Sequence, residues 1–298
     1  RRPRPQPCGP PAGEALMRAQ RGAALVLVMW LVALLAALVG AYAAASRIEY
    51  MQGRGLHGAV VAESAARAGL EYALVRLQAQ EPEYAWLPDG RPYRWAFGAA
   101  EVEVRVVDES GKLDLNVVDA PLLASLFQVL GAEQARADAV AGAIVDWRDA
   151  DALTQPMGGA EDPHYAQAGL PYGAKDAPFD TVAEVEQVLG MDRALFLAAE
   201  PHLTVFSGLP DPDRRFAAGE VLQALGVDPE TALLQRGDGA AFAPDLVGGG
   251  TGTYSIDSRA RLADGRQAVL RAVVRAGGGN LPGSAYLPLQ WEEGATPR

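Results

Sequence analysis

An unbroken run of uncharged residues near the start of the chain, residues 23–45, constrains the fold more than any other feature. At about 1.5 Å per residue, a helix of this length reaches roughly 35 Å, enough to cross a bilayer with some tilt. The apolar core of an ordinary secretory signal is shorter, about 7–15 residues. Arg18 and Arg21 precede the run, and the positive-inside tendency puts this end in the cytoplasm. We therefore predict one membrane-spanning helix, with everything after Arg47 on the far side.

The rest of the chain is strongly acidic. The formal net charge is −11, and residues 1–22 contribute five Arg and one Glu, so the remainder sums to −15. A surface this acidic does not hold a nucleic-acid backbone, which is bound by Lys and Arg. It can attract divalent cations, or it can simply be a solvated surface. The one cysteine, Cys8, lies in the basic segment, so the body has no disulfide.

The residues around Gly22 carry a more specific signal. Arg21, Gly22 and Ala23 lead directly into the apolar run, and this junction resembles the cleavage site of type IV prepilins and type II secretion pseudopilins. The resemblance implies that a prepilin peptidase cuts after Gly22 and leaves Ala23 as an N-methylated terminus. The apolar helix then stays in the product. A start at Met17 gives a short leader of this kind, with residues 1–16 upstream of it. The simpler alternative is a plain single-span anchor.

Leu27 is the main departure from the pseudopilin pattern. Most pseudopilins have Glu five residues after the cut, where it neutralises the buried amine of a neighbouring subunit. A carboxylate without such a partner is costly in hydrocarbon. Its replacement by Leu27 therefore fits a subunit that has no earlier neighbour, at the filament tip. The K-type minor pseudopilin is the member of the family that lacks this Glu.

The hydrophobic periodicity changes after the apolar run. Residues 47–80 have helical spacing, and residues 101–107 alternate like a half-buried strand. Strand patterns return from residue 253, with a hairpin signal at Asp264 and Gly265. We predict an α+β fold: a pilin-like long N-terminal helix packed on an antiparallel sheet, with a large, mostly helical insertion subdomain, SAM-like or helix-hairpin-helix-like. The predicted segments are a leader at 1–22, a transmembrane helix at 23–45, a periplasmic helix and first strands at 46–112, the helical insertion at 113–205, an uncertain helical or loop segment at 206–252, and returning strands at 253–298.

The helical insertion carries the most specific motifs. Residues 108–116 open it, residues 143–151 read Ala-Ile-Val-Asp-Trp-Arg-Asp-Ala-Asp, and residues 159–162 read Gly-Ala-Glu-Asp. With the aromatic positions that follow and the segment 184–204, this order of motifs resembles the type II secretion K family. Residues 214–226 lack the Asn-rich phrase that the family has there, so the sequence does not establish a second helical repeat.

The acidic residues of this block have the pattern of a cation-binding loop. Aspartates at short spacing, a Gly-rich turn and a distal Glu offer the hard oxygen ligands that Ca²⁺ takes, although the EF-hand pattern is absent. K-type pseudopilins bind calcium in this region. The resemblance therefore implies a calcium ion held by Asp149, Asp151, Glu161 and Asp162, with Asp176 as a further ligand. Two other readings stay open: solvated carboxylates at a helix end, and Asp146 as a cap or a partner of Arg148.

Two other classes of function compete for this region. The spacing around Gly131 resembles a helix-hairpin-helix module, but DNA binding needs basic flanks and free amides, and here Glu133 follows. We therefore predict a packing module and no nucleic-acid partner. His164 lies beside the acidic cluster, which would suit a metal-dependent hydrolase. No nucleophile, zinc or phosphate-loop motif accompanies it in the sequence, and we predict no enzymatic activity.

The resemblance as a whole implies a minor pseudopilin at the tip of the type II secretion pseudopilus, which primes filament assembly and supports protein export. Its implied partners are the I- and J-type minor pseudopilins, the prepilin peptidase and the inner-membrane secretion platform. The implied location is the inner membrane, single pass, with a cytoplasmic N-terminus and a periplasmic globular part. The alternative is a minor pilin of a type IV pilus.

Overall fold

The computed structural model describes residues 13–79, 81, 83–236, 250–277 and 286–294. It divides into two compact units, Arg1–Gly58 and Ala59–Arg298. One helix, α1, spans Gly13–Leu77, and its stretch Ala24–Arg47 is long and apolar enough to cross a membrane. Of the expected processing residues, Gly22 and Ala23 lie in α1, but their side chains are outside the description, and Leu27 is exposed. Residues 1–12, with Cys8, lie outside the described residues.

The second unit combines an antiparallel sheet with a helical subdomain, so the predicted α+β class is confirmed. In chain order, the elements after α1 are β1 (Asp89–Phe97), β2 (Ala100–Asp108), β3 (Leu113–Asp114), α2 (Ala120–Val129), α3 (Gln134–Arg148), α4 (Asp162–Gln167), α5 (Arg193–Ala199), β4 (Leu203–Thr204), α6 (Gly219–Ala224), α7 (Pro229–Arg236), β5 (Thr253–Leu262), β6 (Gln267–Ala276) and β7 (Tyr286–Glu293). The sheet has the strand order β1-β2-β5-β6-β7.

Within this unit, the end of α1 packs on one face of the sheet. Leu70 and Leu74 share a buried core with Val102, Val104 and other inward residues of β2, β5 and β6. The alternation predicted for residues 101–107 produces this core, because every second side chain of β2 faces the helix. The helix approaches closely at a glycine: a Cβ on Gly69 would lie 2.2 Å from the Ser258 hydroxyl oxygen.

One strand of the sheet, β1, falls within the predicted helix-and-strand segment 46–112 but had no predicted bounds. Pro92 lies inside β1, which is an edge strand with an irregular register between Asp89 and Pro92. Proline is tolerated there because an edge strand has one row of unpaired amides. Pro288 occupies the other edge strand, β7. The predicted hairpin at Asp264 and Gly265 is present between β5 and β6.

The helical subdomain is inserted between β2 and β5. The short parallel pair β3 and β4 closes it, with Leu113 opposite Leu203 and Asp114 opposite Thr204. The segment 206–252, which the sequence left uncertain, contains α6 and α7 up to Arg236; residues 237–249 lie outside the description. The turn between α6 and α7 has Gly226 at φ +70°, as Gly131 has φ +96° between α2 and α3. A second helix-turn-helix repeat is therefore present in residues 219–236.

Candidate metal centre

The candidate centre is built where α3 ends and α4 begins. Asp149 caps the C-terminal end of α3, with its N–H donating to the Val145 carbonyl at 3.1 Å. The chain then forms an irregular loop, residues 150–160, and Glu161 stands at the N-cap position of α4. The two helix ends therefore place Asp149 and Glu161 at opposite ends of one loop, which explains how residues twelve positions apart come together.

Three carboxylates converge in this loop. One ligand oxygen from each of Asp149, Asp151 and Glu161 lies within 4.8 Å of the other two. Carboxylate oxygens at this spacing can share one hard cation, because Ca²⁺ takes oxygen ligands at about 2.3–2.6 Å from the ion. Asp151 is exposed and Glu161 is buried, so the group extends from solvent into the protein.

The buried side of the group is not satisfied by the chain itself. Asp149 Oδ1 and Glu161 Oε1 are buried and have no hydrogen-bond partner among the described residues. Burial, followed by the charge of Asp151, raises the pKa of Asp149. Burial, followed by the charge of Asp146, raises the pKa of Glu161. A buried oxygen without a partner costs free energy, and a cation removes that cost, so the donor set fits Ca²⁺.

The loop is held against α3 by contacts that leave little freedom. Asp146 Oδ1 accepts a hydrogen bond from the Gln155 N–H at 3.2 Å, and burial raises the Asp146 pKa. Gly142 lies directly under the loop, where a Cβ would stand 1.5 Å from the Gly158 carbonyl oxygen. Asp146 therefore fastens the loop and does not pair with Arg148, whose guanidinium donates to the Leu115 and Val118 carbonyls.

Two predicted ligands lie outside the three-carboxylate group. Asp162 Oδ1 accepts from the Ala174 N–H at 3.1 Å, where Gly173 leaves room for it. Asp162 therefore fastens the segment after α4 to that helix. Asp176 has a left-handed backbone, with φ at +53°, and its charge contributes to the raised pKa of Asp149 and of Glu161. Asp176 therefore acts on the charges of the group, but its carboxylate is not among the three whose oxygens lie within 4.8 Å of one another.

The remaining candidates have structural partners. Trp147 is buried in an aromatic cluster, with ring centroids 5.9 Å from Tyr165 and 6.2 Å from Phe179. His164 Nδ1 accepts the Glu161 N–H at 3.1 Å, which closes the first turn of α4. One nitrogen of the imidazole is thus occupied by the backbone, and the three-carboxylate group is formed without the ring.

A second buried carboxylate, Glu109, lies between the sheet and the helical subdomain. Its Oε1 receives the Lys112 ammonium at 2.6 Å and the Ser255 hydroxyl of β5. Its Oε2 accepts from the Thr204 hydroxyl of β4. Lys112 also donates to Ser255 at 2.9 Å. The charge of Glu109 is thus neutralised inside the chain, and the group joins elements that are far apart in sequence.

Comparison with known proteins concerns this same region. Residues 105–213 match the family described as "Type II secretion system (T2SS), protein K". The similarity to the type II secretion system protein K family therefore covers residues 105–213 of this chain. The matched residues include β3, β4, the glycines under the loop and all three carboxylates of the candidate centre.

Curated members of the protein K family give the extent of the similarity. A type II secretion system protein K from Klebsiella pneumoniae is 28% identical over 206 residues, 62% of this chain and 62% of that protein. The protein K of Pectobacterium carotovorum subsp. carotovorum is 29% identical over 104 residues, 34% of this chain and 31% of that protein. The chain thus aligns with less than two thirds of the length of these relatives.

A solved structure supports the fold of the protein K family over a longer stretch. The crystal structure of the GspK–GspI–GspJ complex from enterotoxigenic Escherichia coli contains a chain that matches with a TM-score of 0.57. The match covers 84% of this chain and 99% of that chain at 15% identity. It shows that the combination of a long helix, a sheet and a helical insertion is shared.

Sequence reasoning missed the two glycines that hold the loop in place, and it named Asp146 only as a cap or a partner of Arg148. Gly142 and Gly158 are needed because two backbone segments touch, and Asp146 is needed because its carboxylate accepts the Gln155 amide. A glycine in the middle of a helix such as α3 is unfavourable by about 1 kcal/mol relative to Ala. The presence of Gly142 inside a predicted helix was therefore the feature of the sequence that could have indicated a close backbone contact.

Proposed function

We propose that this protein is a minor pseudopilin at the tip of the type II secretion pseudopilus, where it primes filament assembly and so supports protein export. The observation that carries the proposal is the match of residues 105–213 to protein K of type II secretion. The apolar stretch Ala24–Arg47 of α1 agrees with it, because pseudopilins join a filament through such a helix. The type IV minor pilin alternative is not favoured by this match.

The proposed partners are the I- and J-type minor pseudopilins. Their support is the structural neighbour, a chain from a complex of GspK with GspI and GspJ. The test is co-purification of the full chain with the I and J proteins of its own host, next to complementation of a deletion strain. We expect a ternary complex and restored export of the secreted proteins. A folded protein that neither binds I and J nor restores export would overturn the proposal.

Processing by the prepilin peptidase is the second part of the proposal. The enzyme cuts after Gly22 and leaves Ala23 as the methylated terminus, and the mature chain then docks on the inner-membrane platform with its globular part in the periplasm. Mass spectrometry of the protein from peptidase-positive and peptidase-negative cells tests it. We expect a mass that begins at methylated Ala23 only where the peptidase is present. An intact leader in both strains contradicts this part.

The tip position is supported by Leu27, which stands where a filament-internal subunit would carry Glu. A subunit without a predecessor has no amine for that carboxylate to neutralise. Leu27→Glu therefore adds an unpaired charge to the membrane segment, and we expect it to lower export in the complementation assay. Leu31→Glu, one turn further along the same helix, is the matched control. It measures how much export falls when a charge is placed in the membrane segment at a position where pseudopilins do not pair a Glu with a neighbouring subunit.

Calcium is the proposed ligand of the three-carboxylate group, held by Asp149, Asp151 and Glu161. The buried oxygens without partners on Asp149 and Glu161 support this assignment. The ion would supply positive charge that fastens the loop 150–160 between α3 and α4, and the protein would have a structural and not an enzymatic role. Competition of the purified chain with a fluorescent calcium chelator tests it, with Asp151→Asn as the weakened variant. Equal affinity of the two proteins would contradict the assignment.

A further inference from the structure

The last turns of α1 carry an arginine, Arg76, whose charge has no counter-charge within the described part of the chain. Its side chain makes no ion pair there, and its Nε is buried without a hydrogen-bond acceptor. A guanidinium is always charged in proteins, and its nitrogens are donors only. A buried donor without an acceptor costs free energy. Arg76 is therefore a group that a partner from outside the chain would stabilise.

Three aromatic rings hold this guanidinium in place. Its central carbon lies 5.6 Å from the ring centre of Tyr72, 5.4 Å from that of Tyr84 and 5.9 Å from that of Trp86. Cations within about 6 Å of a ring centre are attracted to the face of the ring. Two of these rings stack in turn on β1, Tyr72 on Trp95 at 4.5 Å and Trp86 on Tyr93 at 4.2 Å. A side chain that is already held loses little freedom when it binds a partner.

The outer end of the guanidinium is accessible. Among the nitrogens of the Arg76 side chain, Nε alone is enclosed without a partner, so the terminal nitrogens Nη1 and Nη2 reach solvent. Tyr84 is 50% exposed, and Phe97, whose ring lies 5.5 Å from that of Trp95, is 44% exposed. A fixed arginine beside exposed aromatic rings is the composition of binding hot spots in protein interfaces. We call this surface the Arg76 cluster: Arg76, Tyr72, Tyr84, Trp86, Trp95 and Phe97.

The carboxylates that are close to Arg76 in the sequence do not neutralise it. Glu71 accepts the Tyr286 hydroxyl at 2.8 Å. Glu81 and Glu83, which follow α1, make no ion pair with Arg76 in the structure. The chain has a formal net charge of −11, yet it leaves this cation without a carboxylate among the residues described. Charge complementarity therefore favours a carboxylate that comes from another molecule.

We propose that the Arg76 cluster docks an acidic side chain of a neighbouring minor pseudopilin at the tip of the pseudopilus. The inference rests on the proposed assembly with the I- and J-type proteins. The carboxylate of an Asp or Glu of the partner pairs with Nη1 and Nη2 of Arg76, because an arginine fork binds a carboxylate through two parallel hydrogen bonds. Apolar surface around that carboxylate covers the exposed rings of Tyr84 and Phe97.

Two other occupants fit the Arg76 cluster less well. A free phosphate ion would meet the fork of Arg76, but it would leave the exposed rings of Tyr84 and Phe97 in water. A second copy of this chain would bring one strongly acidic body against another, and like charges across an interface are unfavourable. Both occupants are outcomes that the experiments below distinguish.

The first experiment measures binding of the full chain, in a nonionic detergent, to a fluorescently labelled mixture of the I and J proteins of its host. Arg76→Gln removes the charge, and Arg76→Lys keeps the charge without the planar fork. Arg67→Gln is the matched control, because Arg67 lies on the same helix, is exposed and stands over the Trp291 ring at 5.3 Å. Melting of each protein without partners shows whether it is folded.

We expect Arg76→Gln to weaken binding by about thirtyfold or more, because loss of one member of a charge pair at an interface leaves the other unpaired. Arg76→Lys should be intermediate, and Arg67→Gln should bind like the unaltered protein. Normal binding by a folded Arg76→Gln protein, or equal losses in Arg76→Gln and Arg67→Gln, would overturn the docking proposal alone. Failure of the folded, unaltered chain to bind I and J would instead overturn the proposed function.

A second experiment identifies the occupant and does not depend on the Arg76 variants. Tyr84→p-benzoylphenylalanine keeps an aromatic ring in the cluster and crosslinks under ultraviolet light to whatever touches it. In the assembled complex, we expect a crosslink to the I or J protein, in a peptide that contains Asp or Glu. A crosslink to a second copy of this chain, or none to I and J, contradicts the proposal. So does inorganic phosphate that raises the melting temperature of the unaltered protein but not of Arg76→Gln, since the cluster would then be a phosphate site.

Discussion

Two buried carboxylates of the second unit, Glu109 and Glu161, differ in the groups that surround and neutralise their charge. Glu109 has Lys112, Ser255 and Thr204 around it, so the chain itself supplies both a cation and hydroxyl donors. Glu161 has an oxygen without a partner, and its neighbours are further acids. A buried charge is tolerated only when it is paired. The charge of Glu109 is therefore neutralised within the fold, whereas one carboxylate oxygen of Glu161 has no partner among the described residues.

The largest loss of stability is expected at Glu109, whose charge is neutralised by the chain itself. Glu109→Gln leaves the Lys112 ammonium buried without its counter-charge, and we expect the free energy of unfolding to fall by about 3–5 kcal/mol. Urea unfolding of the full chain in a nonionic detergent, followed by tryptophan fluorescence, measures it. Glu186→Gln is the control, because Glu186 pairs with the exposed Arg193, and such pairs contribute less than about 1 kcal/mol. Equal changes in the two variants would remove the distinction.

Calcium should stabilise the protein through the other site. A ligand that binds only the folded state at about a hundredfold excess over its Kd adds about 2.7 kcal/mol. We expect a higher melting temperature in calcium than in chelator, and we expect Glu161→Gln to abolish the difference. Asp162→Asn should keep it, because Asp162 accepts the Ala174 amide outside the group. The result would contradict the prediction if Asp162→Asn abolished the stabilisation by calcium and Glu161→Gln kept it.

Gly142→Ala tests the loop 150–160 without altering the contacts of Glu109. The new Cβ would overlap the Gly158 carbonyl, so the loop must shift. We expect the free energy of unfolding to fall by about 1–3 kcal/mol and the calcium affinity to fall by about tenfold. The control is Gly219→Ala at the start of α6, where the nearest atom to a new Cβ is 3.7 Å away. We expect that variant to bind calcium normally. Chelator competition and melting of both variants make the measurement.

The smallest effect is a pH dependence of the calcium-free protein. Burial raises the pKa of Asp149 and of Glu161 in the folded state, so the folded protein binds more protons than the unfolded chain above the ordinary carboxyl range. Their contribution to stability therefore falls as the pH rises from about 4 through the raised values. In calcium-free buffer, the melting temperature of Glu161→Gln should therefore rise relative to that of the unaltered protein as the pH goes from acidic to neutral. A constant difference between the two would argue that Glu161 is solvated.

Local patterns in the sequence predicted the parts of the fold that local physics decides. The apolar run, the alternation before Asp108 and the hairpin at Asp264 and Gly265 depend on near neighbours only. The bounds of β1 were not predicted because Pro92 is unfavourable in most strands, and only the complete sheet shows that this strand is at an edge. The repeat in residues 219–236 was left open because residues 214–226 lack the Asn-rich motif expected there, although the glycine turn at Gly226 is present.

The candidate centre was predictable in composition but not in geometry. The spacing of acids indicated which stretch would gather them, and three of the five named residues do come together. Glu161 and Asp162 are adjacent, and the sequence could not tell which of them faces the loop. The start of α4 decides it, because the N-cap residue and the first helical residue point in different directions. Asp176 depends on the path of a distant loop, which no spacing rule fixes.

The insertion between β2 and β5 has a consequence for the order in which the chain folds. Ala100 of β2 pairs with Leu262 of β5, so the sheet forms only when a strand far along the chain reaches β2. Closing so long a loop is slow when the intervening chain is disordered. The helical subdomain has its own buried core, and β3 and β4 bring its two ends side by side. Once this subdomain folds, β3 and β4 hold the two ends of the inserted chain side by side, so the loop that remains to be closed between β2 and β5 is much shorter.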